Sequence, residues 1–146
     1  HGVFRRQRQM CIRDSSRSLK VSASEIIKQH TSVELEVFMM GFLPGFPYLG
    51  LLPEIFDLPR RVEPRVHVPP RSISVAARQT TIYTIDSPGG WHLIGQTPVD
   101  FYDPNRENPV LVKAGDKVSF FAIDSKEYPA VRRALKADEY PLIMDC

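Results

Sequence analysis

Cysteine is scarce in this 146-residue chain, with Cys11 and Cys146 standing alone near its two ends. Two thiols so placed exclude a disulfide framework and a cysteine metal centre, and a reducing compartment follows as the default. No apolar run approaches the ~18 residues that a membrane span needs, and residues 1–20 lack the apolar centre of a secretory signal. A cytoplasmic location without a membrane partner is therefore expected. Also missing are a Gly-x-x-x-x-Gly-Lys phosphate loop, a Gly-x-Ser-x-Gly elbow and a His-x-x-x-His pair. The familiar routes to phosphoryl transfer, acyl transfer and metal-assisted hydrolysis go with them, and no metal site is expected.

The excess of positive charge is small, +2 overall, and unevenly spread. Residues 1–20 hold Arg5, Arg6, Arg8, Arg13, Arg17 and Lys20 against Asp14 alone, which leaves thirteen cations against sixteen anions in the rest. A mildly acidic body argues against a nucleic-acid partner. The basic arm has weak periodicity, and residues 6–15 resemble translated sequencing-adapter sequence. Residues 1–20 are set apart as a disordered or non-native arm, with residues 21–146 as one domain.

What the chain does have is proline, thirteen residues against eight glycines. That ratio disfavours a helical bundle and favours short strands joined by stiff turns. Ser22-Ala-Ser-Glu25 reads as a capping box for a helix ending near Gln29, followed by His30. Val33–Met40 alternates as a half-buried strand. Further strands are expected at Ser72–Ala77, Gln79–Ile85, Trp91–Gln96, Val110–Val112 and Lys117–Ile123. Ser125 and Pro129 open a last short helix. The spacing predicts a mainly β fold, a closed or nearly closed β-barrel with one short helix at each end.

Two segments are too heavily punctuated to be plain connectors. Gly41-Phe-Leu-Pro-Gly-Phe-Pro-Tyr-Leu-Gly50 is expected to be a rigid loop presenting Phe42, Phe46 and Tyr48. Ser87-Pro-Gly-Gly-Trp91 is expected to be a sharp turn aiming the only tryptophan. Between them, Pro59-Arg60 and Pro64-Arg65 set two guanidinium groups on a stiff backbone, suited to a carboxylate or phosphate. Gln79, Thr80, Ser87 and Thr97 are neutral donors nearby in sequence. This inventory defines an aromatic pocket with anion-binding arginines but no reaction.

The collinear series Gly41-Phe-Leu-Pro-Gly-Phe-Pro-Tyr-Leu, Pro-Arg at 59 and 64, Val-Pro at 68, Gln79-Thr with Ile82-Tyr83, Ser87-Pro-Gly-Gly-Trp, Thr97-Pro98 and Gly115-Asp116 resembles the family of the 5-oxoprolinase B-subunit. That family is also called allophanate hydrolase subunit 1 or the sporulation-kinase-inhibitor family. The resemblance implies a cyclophilin-like barrel, with the family's usual preceding α/β domain absent from this chain. It implies a subunit of an ATP-dependent 5-oxoprolinase, inactive alone, that opens 5-oxo-L-proline to L-glutamate with subunits A and C. The alternative it implies is a binding module that inhibits a sensor histidine kinase. Carried onto this chain, the signature gives His30 as the catalytic residue. It gives Phe46, Tyr48, Arg60, Arg65, Gln79, Tyr83, Ser87, Gly89, Gly90, Trp91 and Thr97 as substrate-binding residues, with backbone N–H groups near Gly89 and Gly90 to polarise a carbonyl. The chain departs from the family pattern at Pro70-Arg71, Ala77, Thr81, Thr84 and Gln96.

Overall fold

The Ser22 hydroxyl accepts a hydrogen bond from the Glu25 backbone N–H at 3.1 Å, so the expected cap starts helix α2, Ala23–His30. Glu25 does not reach back; its carboxylate takes the Gln29 amide at 2.8 Å. The computed structural model describes residues 12–137, and a helix α1 over residues 12–19 precedes α2. After α2 come β1 (Leu35–Met40), β2 (Pro47–Gly50), a 3-10 turn (Glu54–Phe56), β3 (Arg65–Val68), β4 (Ser72–Ala76), β5 (Gln79–Ile82), β6 (Ser87–Gly89), β7 (His92–Gln96), β8 (Lys117–Val118) and α3 (Tyr128–Lys136).

Six strands form one sheet in the order β7-β4-β5-β2-β1-β8, and β3 pairs with β6 in a separate antiparallel ribbon. Alternation along β5 splits the interior in two. Thr80 and Ile82 face a main core built on Ile26, Leu35, Val37, Leu49, Phe56 and Val75, under α2. Thr81 faces the other way, and so does Tyr83, which joins Phe46, Val68 and Leu93 in a smaller core beneath the ribbon.

The expected cyclophilin-like barrel is not what these strands build. Closure would require the two end strands to pair, but β8 has two residues, bonded only to β1. The carbonyl of Leu93 in β7, the other end strand, accepts the Ser15 hydroxyl of α1 at 2.6 Å. The result is a mixed α/β fold with open sheets. The same contact corrects the expectation of little order in the arm as far as residues 12–20 are concerned. Ser15 is buried, and Ile12 and Leu19 pack on the main core. The first eleven residues of that arm lie outside the described residues.

Other expectations shift locally. The Lys117–Ile123 strand stops at Val118, and Phe121 is exposed. Val110 makes only an isolated bridge to Tyr102. α3 begins at Tyr128 rather than near Ser125, with Pro129 in its first turn as expected.

Candidate functional site

The ten-residue aromatic segment is loop only in its first half. Gly41 N–H donates to Phe46 O and Phe46 N–H to Leu43 O, both at 3.1 Å, which curls the chain back on itself. Pro47 then opens β2, a position where a strand needs no donor. Gly45 has φ +69°, and a Cβ there would stand 2.9 Å from both the Phe101 carbonyl oxygen and the Tyr102 Cβ. Only glycine lets the loop sit against residues 101–102.

The curl assembles a chain of edge-on rings. Phe46 lies 5.3 Å from Tyr83, 5.2 Å from Tyr48 and 5.3 Å from Phe42, and Tyr48 lies 6.0 Å from Trp91. Phe46 and Tyr83 are fully buried, Tyr48 and Trp91 half-buried at the rim, and Phe42 exposed. Such edge-to-face pairs add about 0.5–1.5 kcal/mol each beyond burial. Of the residues selected from sequence, Phe46, Tyr48, Tyr83 and Trp91 therefore meet here, and Gly89, Gly90 and Arg60 border the Tyr83 and Trp91 end.

The second segment is likewise not a plain turn. Ser87–Gly89 is strand β6, paired to β3 with Arg65 opposite Gly89 and Val68 opposite Ser87. Pro88 is tolerated because the ribbon is two-stranded and leaves an edge free. Gly89 serves packing: a Cβ there would fall 2.1 Å from the Tyr83 hydroxyl oxygen. Gly90 directs its carbonyl to the Arg61 N–H at 2.7 Å, and Trp91 makes a backbone hydrogen bond to the Tyr83 hydroxyl. Burial pushes the Tyr83 phenol above its ordinary value, the Trp91 hydrogen bond opposes this, Tyr48 adds to it and Arg60 opposes it.

His30 is not part of this group. It is buried on the main-core face, its Nε2 2.9 Å from Thr80 Oγ1, with Phe56 and Phe120 against its ring. Burial lowers its pKa to about 4, so it is neutral at pH 7. Gln79 opens β5 opposite Ala76 and Gly50. Thr97 holds a turn: its hydroxyl accepts from Val99 N–H at 3.1 Å, its N–H donates to Arg71 O and its carbonyl accepts from Tyr128. Arg65 and Ser87 lie in the ribbon, next to the aromatic group. Ser74 and Thr81 are fully buried, although alternation alone reads a polar residue on such a strand as solvent-facing. Among the described residues, no group of three or more His, Cys, Asp or Glu could hold a metal ion, and no helix is long and apolar enough to cross a membrane.

The model of the carboxyltransferase domain, subdomain C and D, matches residues 12–112. The chain belongs to this family. It is similar to the 5-oxoprolinase B-subunit of Escherichia coli O157:H7, 47% identical over 100 residues that cover 68% of this chain and 46% of the relative. With the 5-oxoprolinase B-subunit of Bacillus subtilis strain 168 the identity is 42% over 113 residues, covering 77% and 47%. Among solved structures, conserved uncharacterized protein PH0987 from Pyrococcus horikoshii superposes with a TM-score of 0.74 at 39% identity, covering 80% of this chain and 54% of that one. The chain spans about half the length of the curated relatives it matches. The matched region begins at residue 12, the first residue of α1 described, so α1 is part of the family's domain and not an appendage.

Proposed function

We propose that this carboxyltransferase-family chain acts as the B-subunit of an ATP-dependent 5-oxoprolinase in the cytoplasm, working with subunits A and C and inactive without them. The observation that carries the reading is the identity of 41–47% to the 5-oxoprolinase B-subunits of three bacteria. In the overall reaction water adds its oxygen to the lactam carbonyl carbon, the ring C–N bond breaks and the nitrogen takes the proton, giving glutamate. Coupled ATP hydrolysis drives the opening.

In this reading the half-buried rim of Tyr48 and Trp91 stacks against the flat five-membered ring, with the exposed Phe42 at its edge. Arg60 lies beside the rings and offers positive charge to a carbonyl or acid group. The ATP is assigned to the complex. One exposed guanidinium beside an aromatic rim is too little positive charge for a triphosphate, and this chain has no phosphate loop.

The test is reconstitution. The chain combined with subunits A and C should release glutamate from 5-oxoproline only when ATP is present, and neither part should do so alone. Trp91→Ala should cut kcat/KM by about tenfold to a hundredfold, the loss of one aromatic contact made in the transition state. A complex lacking this chain that works equally well would overturn the subunit reading.

A further inference from the structure

We infer that α3 is a releasable strap, pinned across the turn at residues 97–100 by Asp100, and that it opens while the sheet stays folded. This conformational device goes beyond the subunit reading and does not depend on it.

The helix has an apolar face and little to bury it in. Tyr128, Val131 and Leu135 recur at spacings of three and four, the pattern of one helix face, and each is only half-buried. No residue of α3 is buried, and none of the described apolar residues packed on either core belongs to it. A nine-residue helix is marginal by itself, so its hold has to come from side-chain contacts with the rest of the fold. Residues 119–124, which lead into it from β8, form neither strand nor helix. The family match ends at residue 112, short of α3.

The contacts that fasten it are polar. Tyr128 donates its hydroxyl to the Thr97 carbonyl at 3.0 Å, and Arg71 Nε donates to the Tyr128 oxygen at 3.4 Å. One turn further on, Arg132 Nη1 lies 2.8 Å from the Pro98 carbonyl oxygen and 2.8 Å from Asp100 Oδ2. The other oxygen of that carboxylate lies 3.7 Å from Arg71 Nη1. Asp100 thus stands between one arginine that precedes β4 and one on the helix, and joins them. The Arg132–Asp100 pair is largely shielded, with side chains 17% and 27% exposed, and acts as a charge-assisted bond rather than a loose surface contact.

A segment held by a few polar bonds and no core burial is of the kind that opens locally. Opening strands no charge, because Arg132 returns to water and Asp100 keeps Arg71. Closed, the strap occupies the Thr97 carbonyl and the Nε of Arg71. Open, it gives both back, so the position of α3 sets what this turn presents.

Native-state hydrogen exchange of the whole chain tests the strap. Amides of α3 should exchange faster than those of β4 and β5, at a rate that low urea does not change, the mark of an opening that exposes little surface. Amides of β4 and β5 should respond to urea as global unfolding does. Arg132→Met keeps the apolar stem and the helix preference and removes the bond to Asp100. It should speed α3 exchange, and trypsin cleavage after Arg133, by about tenfold, the loss of one charge-assisted hydrogen bond. Asp100→Asn, nearly isosteric, weakens the same bond from its other end and should act in the same direction. Ile82→Val, in the main core, should speed β4 and β5 exchange about threefold to tenfold and leave α3 exchange unchanged.

Exchange in α3 that follows urea in step with β4 and β5, or that Ile82→Val speeds as much as it speeds the sheet, would make the helix part of the global fold and overturn the strap. So would α3 exchange and Arg133 cleavage left unchanged by both Arg132→Met and Asp100→Asn.

Discussion

The family resemblance implies a catalytic role for His30, and its surroundings give it a further measurable consequence. Its pKa of about 4 in the folded chain lies below the ordinary 6.5 because burial penalises the imidazolium. The unfolded chain therefore takes up the proton first as pH falls. Stability from this group is whole above pH 6.5 and drains away between 6.5 and 4, by about 3 kcal/mol in total. Urea unfolding of the wild type and His30→Gln, which keeps a partner for Thr80, should show similar pH profiles above 6.5. Below it, the wild type should fall more steeply; parallel profiles down to pH 4 would refute the burial argument. Gly89 offers a second test at this scale. Gly89→Ala drives a methyl into the Tyr83 hydroxyl and should cost about 1–3 kcal/mol, the range for overpacking a core. Adding Tyr83→Phe, which removes the struck oxygen, should return part of that loss in a double-mutant cycle. A fully additive pair would place the strain elsewhere.

Among the elements, the β4–β5 hairpin shows how a turn can hide in a sequence. Ala76 pairs with Gln79, so the loop is only Ala77-Arg78, with φ of +47° and +60°. Two positive φ values in a two-residue hairpin are the signature of a type I′ turn, usually written Asn-Gly. Ala-Arg carries no such signal, and the strands on either side were legible while the turn between them was not. Arg78 compensates by donating from Nε to the Leu52 carbonyl at 2.9 Å. Ala77→Asn leaves that contact intact and suits the left-handed backbone better. It should raise stability by about 0.5–1 kcal/mol, read as a higher urea midpoint at unchanged m-value. A lower midpoint would mean that the turn is not held as described. The opposite lesson comes from β6 and the start of β2, where Pro88 and Pro47 read as breakers yet sit at an edge and at a first residue. Which strand is an edge depends on what lies beside it, and that neighbour is remote in the chain.

At the scale of the whole molecule, α1 is the part that sequence reasoning sets aside and the fold uses. It packs Ile12 and Leu19 on the main core, binds the β7 edge through Ser15 and brings Asp14 toward Arg65. A chain shortened to begin at Ser22 loses all three contacts and should be less stable by about 3–5 kcal/mol, from apolar burial and one buried hydrogen bond. Thermal unfolding followed by circular dichroism measures this directly, and an unchanged Tm would show that α1 is dispensable. Covering the β7 edge also protects an exposed row of backbone donors and acceptors from pairing with another chain. The shortened chain should accordingly show more self-association in light scattering.

By itself the sequence determined what is local or compositional. The Ser22 cap, the alternating β1, β4 and β5, the proline-limited loops and the aromatic segments each depend on neighbours a few residues away. The family resemblance depends on those same motifs in order. Tertiary structure alone decided three things. It decided that the sheet stays open, since closure depends on whether two end strands meet. It decided that His30 and the aromatic rings lie on opposite faces of β5, because a period of two separates Thr80 from Thr81 but does not say which layer covers which face. And it decided that Ser74 and Thr81 are fully buried, because a polar side chain reads the same in sequence whether water or a second layer lies above it.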